Sequence, residues 1–494
     1  MAYRQDSTRA LEGLTMSSDG RNSHVENPEA RLAAWNEQAH HCEKLLRMED
    51  FLPCQNLGEI WAVQTSRWPD RFWLSYYPCI DPKESPARYT FAGFLELIEQ
   101  IAAVLRGEYG VRLGDTVALM SFNQPLTVAI YFAAWRLGAR VVPIHPAEPD
   151  GRLCAILVDS SARLFIMHAA CRGDHEALDQ AIEAALGADF QRCLIMDGPG
   201  RRAALVAGWE DFGATLAEVS ASGVAFEPSE VSWDSDALVT YPADPQMPPT
   251  GVVLTQKQLM AAAYGISQWH ALDEHAVLMN VLPLHRAAEV IFSLVTSAFV
   301  GAQLILNARF TPEGFWSKLS EHDVSTVSMI PRFMHELLER PEDCDPQAVP
   351  NFRHFVSRSQ PLTVEAAAAF QDRFGLKIVY GYGLNETAGY SCFLPVSLDW
   401  HEHKEWICDH EVPSVGVPIV VNDVDVHDAE GRPLGRGQRG EIVARGHNIM
   451  AGYLNKPEAT ARVFRNGWFR SGYTGYKLCG NDGQDYFFVT GRAT

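Results

Sequence analysis

Apolar positions recur at helix and strand periods along most of the chain. Over residues 87–106 (ARYTFAGFLELIEQIAAVLR), Phe91, Phe94, Leu95, Ile98, Ile101 and Leu105 fall at helical spacing, which predicts one helix. GDTVALM at 114–120 reads as a turn feeding a β-branched strand, and 125–137 as an apolar helix with Gly138 at its C-cap. ARVVPI at 139–144 is the next strand, so strand, helix and strand form a βαβ unit with a parallel sheet. Residues 151–158 and 163–167 repeat the pattern as helix and strand.

A second series starts at Asp236. It predicts strands at 237–241, 277–283, 303–306, 324–329, 352–356 and 377–380. Helices are predicted at 256–269, 289–300, 312–321, 331–339 and 364–374. After about Pro413 short alternating segments (VNDVDVHD, GEIVARG, GWFRSG, DYFFVTG) are divided by Gly, Asn and Pro, as in a small antiparallel barrel. The expected class is therefore α/β: two parallel-sheet subdomains plus a small antiparallel β-barrel subdomain. The expected divisions are a polar extension over 1–45, the first α/β subdomain over 46–235, the second over 236–411 and the barrel over 412–494.

Composition narrows the function classes. The chain has 494 residues and is 47% hydrophobic, enough for a large core without disulfide or metal staples. Its 41 basic and 61 acidic residues give a net charge of −20, which argues against nucleic-acid or anionic-membrane binding. Ten scattered cysteines with no CxxC pair fit a reducing compartment. No apolar run reaches 18 residues and MAYRQDSTRALEG has no signal core, so a cytoplasmic protein without a membrane span is expected. Asp399, His401, Glu402, His403, Cys408 and His410 are dense in metal-ligand types, but their spacing matches no usual zinc site and reads as a polar loop.

GEIVARGHNIMAGYLNKPEAT (440–460), NGWFRSG (466–472) and FFVTGR (487–492) together resemble the adenylate-forming superfamily of acyl-CoA synthetases, adenylation domains and luciferases. GDTVALM, ARVVPI, GVVLTQKQL (251–259), YGYGLNET (380–387) and SVGVP (414–418) lie in the matching order. The resemblance runs from about Asn56 to Arg492. It implies a large domain with its site where the subdomains meet, and ATP, Mg and CoA as the family's cofactors. It also implies a mobile C-terminal lid after the Gly-Arg pair. That lid, with the family's adenylation lysine, is expected to be absent here.

Motif by motif, the resemblance implies a damaged nucleotide site. The family's Ser/Thr/Gly-rich phosphate loop ends in Pro-Lys-Gly. Here Pro242-Ala243-Asp244-Pro245-Gln246-Met247-Pro248-Pro249-Thr250 stands between Tyr241 and Gly251. Four prolines remove four amide donors, Asp244 adds negative charge, Met247 adds no donor side chain, and Thr250 occupies the lysine position. In LPLHRAAE (282–289) Arg286 stands at the family's His and Glu289 at its Gly, leaving His285 as a catalytic candidate or a satisfied histidine after a strand.

Arg358 replaces a Gly beside the adenine and acyl groups, where it either plugs the slot, pairs with an acidic ligand or turns to solvent. Tyr382, Asn385 and Glu386 form the best-kept motif. Glu386 matches the magnesium-ligating, catalytic glutamate, and Asn385 replaces a Thr that meets the α-phosphate. Tyr473 replaces the ribose-gripping Asp, while Arg492 matches the ribose-side arginine.

Scaffold segments read as intact while substitutions gather at nucleotide-contacting positions. The expectation is an acyl-CoA synthetase-like homologue that has lost ATP-dependent adenylation and binds no nucleotide cofactor well. It would be a pseudoenzyme with an acyl- or aryl-binding, scaffold or regulatory role. Its ligands would be an acyl or aryl carboxylate or thioester, and its partners a carrier protein or an active paralogue. Two alternatives stand beside it: ATP-independent acyl transfer between CoA and a carrier-protein thiol, and an acyl- or aryl-AMP ligase with a divergent phosphate loop.

Overall fold

The computed structural model describes residues 45–78, 85–196, 208–223, 226, 230–242, 248–340, 349–358 and 361–493. The expected extension over 1–45 lies almost wholly outside them, as do Asp244 and Met247.

Two large sheets form the body. In the first, strands Arg140–Pro143, Thr116–Met120, Leu164–His168 and Gln191–Ile195 run parallel, each buried on both faces by helices. Asp236–Thr240 joins them in parallel, and Val252–Thr255 turns back antiparallel beside it. In the second sheet Ile378–Tyr382, His354–Ser357, Thr326–Met329, Val277–Asn280, Gln303–Asn307 and Phe72–Tyr77 are parallel neighbours. A third, antiparallel sheet contains Asn422–His427, Gly440–Gly446, Phe464–Arg465, Trp468–Cys479 and Asp485–Arg492. The α/β class and the small antiparallel unit are as expected. No strand pair closes that unit into a full barrel among the described residues.

The sheets cut across the expected divisions. Phe72–Tyr77 and Ala87–Thr90, early in the chain, complete the second sheet. Asp236–Thr240 and Val252–Thr255, expected to open the second series, complete the first sheet instead. Strand order follows pairing partners and crossover geometry, which a linear reading does not contain.

The helix expected over 87–106 is two elements. Ala87–Thr90 pairs antiparallel with Phe72–Tyr77, and the helix occupies Phe91–Gly107. Thr90 sets the boundary, its Oγ1 accepting the Gly93 amide at 3.1 Å as an N-cap. Over 289–300 the backbone runs through one short turn (Ala287–Glu289), a π segment (Val290–Val295) and an α turn (Thr296–Val300). The helix Val364–Phe374 has its expected bounds, with Thr363 capping the Ala366 amide and Gly375 left-handed at its end.

One side chain ties the two large sheets together. Asn123 lies in the loop after Thr116–Met120 and is buried. Its Nδ2 donates toward Asn280 Oδ1, Leu282 O and Asn307 O, each 3.0 Å away. Its Oδ1 accepts the Leu284 amide at 2.9 Å. The Tyr131 hydroxyl adds a 2.7 Å bond to Leu284 O. Among the described residues no helix is long and apolar enough to cross a membrane.

Asn123→Ala leaves the Leu284 amide and three buried acceptors short of a partner. It should cost about 2 kcal/mol or more of unfolding free energy, read from the urea midpoint.

Candidate functional site

The carboxyl ends of both parallel sheets face one hollow, where α/β folds place their ligands. Its volume is about 250 Å³. The first sheet contributes Pro143, Ile144, His145, Glu148, Thr240, Tyr241 and Pro242, and the second contributes His285, Arg286, Arg358 and Asn385. Of the residues singled out in the sequence, the hollow thus collects His285, Arg358 and Asn385. Thr250, Tyr382, Glu386, Tyr473 and Arg492 are not in its lining. A larger hollow of about 490 Å³ opens between His270, Arg353, His354, Lys377 and Trp400. It sits at the opposite ends of the strands.

The flanks of the 242–250 loop are clasped to one carboxylate. Tyr241 Oη donates to Asp159 Oδ2 at 2.8 Å, and Lys456 Nζ donates to Asp159 Oδ1 at 2.7 Å. Lys456 also donates to Pro249 O at 2.5 Å. Arg152 holds Pro242 O at 2.8 Å and pairs with Glu148 at 2.8 Å. Thr250 Oγ1 is spent on Pro248 O at 3.4 Å. Gly251 leaves no free room for a side chain, because a Cβ there would lie 2.7 Å from Val239 Cγ1 and 3.0 Å from the Tyr241 ring.

His285 and His145 stack edge to face with ring centroids 4.4 Å apart. Burial, helped by His145 and Arg286, pushes the His285 pKa down to about 3. His145 is lowered too, chiefly by burial, and its Nδ1 accepts the Ala147 amide at 2.9 Å. Both imidazoles are therefore neutral near pH 7.

Arg358 follows strand His354–Ser357 and turns inward, with 9% of its surface exposed. Its guanidinium carbon sits 4.7 Å over the Tyr390 ring, and Nε has no acceptor. Behind it Glu289 is 1% exposed. Glu289 Oε1 accepts the Ser328 hydroxyl at 2.8 Å while Oε2 has no partner. Burial raises the Glu289 pKa, with Arg358 and Arg286 pulling the other way. Arg286 is lowered by burial first and by Arg358 second.

Asn385 and Glu386 ride on a single 3-10 turn, Asn385–Thr387. Asn448 anchors that turn, donating to Thr387 O at 3.0 Å and Tyr390 O at 2.7 Å. Glu386 Oε1 accepts Tyr453 Oη at 3.0 Å, and burial raises its pKa. Tyr382 and Tyr473 meet edge to face at 6.0 Å, and Tyr473 pairs across the third sheet with Arg492. The Arg492 guanidinium lies 5.8 Å from the Tyr473 ring centre.

His145, Glu148 and Tyr390 were not candidates from sequence, and Glu289 and Arg286 entered only as departures from a motif. The one sequence signal for His145 was its place directly after a predicted parallel strand, at the carboxyl end. In the 399–410 segment, His403 is buried and bonded to Gln371 Oε1 at 2.7 Å. Among the described residues no three His, Cys, Asp or Glu side chains converge to hold a metal.

Residues 61–454 match the family described as AMP-binding enzyme. The chain is 27% identical over 442 residues to a sulfoacetate–CoA ligase of Cupriavidus necator, covering 88% of this chain and 78% of that protein. A feruloyl-CoA synthase of an Amycolatopsis species is 28% identical over 444 residues, covering 89% and 79%. The inhibitor-bound N-terminal domain of FACL13 from Mycobacterium tuberculosis shares the fold with TM-score 0.74 at 25% identity. That match covers 89% of this chain and all of that one.

The site carries a pH signature. His285 keeps its neutral form down to about pH 3 when folded but protonates near 6.5 when unfolded. Below about pH 6.5 the unfolded chain binds the extra proton, so stability falls as pH drops toward 3. The slope reaches about 1.4 kcal/mol per pH unit for one such group. His354, held at about 3, and His403, at about 4, act in the same sense. Glu289 and Glu386, both raised, act oppositely, giving stability at low pH that is lost as pH rises through their folded values. His285→Asn should make the fall between pH 7 and 5 shallower in urea midpoints. An unchanged slope would contradict the assignment.

Proposed function

The chain belongs to the AMP-binding enzyme family, and from that premise we propose that this acyl-CoA synthetase-like homologue no longer adenylates. It binds an acyl or aryl carboxylate or thioester in the hollow between the sheets and acts as a binding, scaffold or regulatory subunit. A carrier protein or an active paralogue is the partner this role calls for, and a cytoplasmic setting goes with it.

The observation that supports this most is the base of the 242–250 loop. Pro248 and Pro249 have no N–H to offer a phosphate, and Thr250 supplies a hydroxyl where the family has an ammonium. That hydroxyl already faces Pro248 O, and the neighbouring ammonium of Lys456 is neutralised by Asp159. A preorganised donor lost at such a site costs ~2.7–4 kcal/mol of transition-state stabilisation. Tyr473 packs against Tyr382 where a carboxylate would grip ribose hydroxyls. By motif, Glu386 and Arg492 keep the family's magnesium-side and ribose-side residue types, whereas the sequence of the loop lacks the donors a triphosphate needs.

A second reading is an acyl- or aryl-AMP (CoA) ligase whose loop has diverged. Glu386, held by Tyr453 and by the Met450 amide on its own carbonyl at 2.8 Å, favours it, as do the ligase names of the relatives.

Calorimetric titration with ATP–Mg separates the two. The expected outcome is no saturable binding tighter than about 1 mM. Micromolar binding, or carboxylate-dependent ATP–pyrophosphate exchange, would move the assignment to the ligase. Thr250→Lys alone should not restore exchange, because the adjoining prolines still lack donors.

A further inference from the structure

We propose that the hollow between the sheets binds a small dianionic acid, a dicarboxylate or a phosphate-bearing acid, with Arg286 and Arg358 sharing its two negative groups. This rests on the functional reading above, that the slot takes an acid without a nucleotide.

Two guanidiniums from different strand ends line the same space. Among the described residues neither forms an ion pair, although Glu289 stands behind them. A guanidinium removed from water without a carboxylate partner is costly, and two side by side are costlier still. Arg358 is nine-tenths buried and keeps an orphaned Nε. Its ring partner Tyr390 offers a face, not a charge.

The acids nearby do not supply the balance. Glu148 is paired with Arg152. Glu289 is a single carboxylate with one oxygen spent on Ser328. With Glu289 charged the cluster keeps a net charge of about +1, and with it protonated about +2, so a ligand carrying more than one negative charge suits it. His285, His145 and Asn385 add neutral hydrogen-bonding groups around the same space. At about 250 Å³ the hollow lies just below the usual ~300–1,000 Å³ of ligand pockets, which favours a small acid over a nucleotide. Planar guanidiniums match carboxylate and phosphate oxygens alike, so geometry alone does not separate the two sources.

The test is isothermal titration of the full chain with malonate, succinate and inorganic phosphate against acetate and butyrate. At least one dianion should bind roughly tenfold or more tighter than the monoanions, and its affinity should fall with added salt. Malonate or succinate binding above phosphate identifies a dicarboxylate; the reverse identifies a phosphate-bearing acid. Arg286→Gln and Arg358→Gln, each checked for a retained melting transition, should each lose roughly tenfold. The proposal falls if monoanions bind as tightly, if no probe binds, or if both folded variants bind undiminished. Should Arg358→Gln fail to fold, Arg286→Gln decides alone. Micromolar ATP–Mg binding that survives both changes overturns the functional reading by itself and leaves the dianion result standing.

Discussion

The amide of Asn123 is the joint on which the molecule turns. Two parallel sheets expose the carboxyl ends of their strands, and nothing in either sheet alone decides how those ends face each other. Asn123, from the first sheet, reaches Asn280, Leu282, Leu284 and Asn307 of the second. That fixes the segment carrying His285 and Arg286 opposite the segment carrying His145. Asn448 does the equivalent for the turn of Asn385 and Glu386, bonding Thr387 and Tyr390 at once. Buried amides with all their partners present are how a fold this size specifies one geometry where hydrophobic packing would tolerate several.

In the proposed role, charge sets this hollow apart from a nucleotide cradle. A phosphate loop works by backbone N–H groups and one ammonium. In this chain the loop's base has prolines and a hydroxyl, while Arg286 and Arg358 bring positive charge from the strand ends of the second sheet. Under the proposal, the attraction for anions persists but points at a smaller molecule.

Much of the fold was legible because periodicity and caps coincide. The helix Val364–Phe374 shows this, with Thr363 before it, Gly375 after it and a clear apolar stripe between. Reading failed where partners far away in sequence decide. Residues 87–90 look helical in isolation but are claimed by a strand that begins at Phe72. The π segment after Glu289 leaves no trace in hydrophobic spacing, since every residue in it is buried. At the site, motif order led to His285, Arg358 and Asn385, which do line one hollow. His145 had only its place after a predicted strand to mark it, and Tyr390 had no mark at all, because tertiary packing brings both in. Tyr473 and Glu386 lie outside the lining, the Tyr473 ring against Tyr382 and Glu386 Oε1 bonded to Tyr453.

The Asp159 clasp has an evolutionary corollary. A single carboxylate at the end of a helix, reached by Tyr241 on one bank and Lys456 with Pro249 on the other, moors the strands that bracket the 242–250 segment. Their own pairing, from Asp236–Thr255 to Thr240–Val252, lies outside that span. Drift or recombination can therefore rewrite that span wholesale, shedding one chemistry or acquiring another, while the surrounding architecture carries on undisturbed.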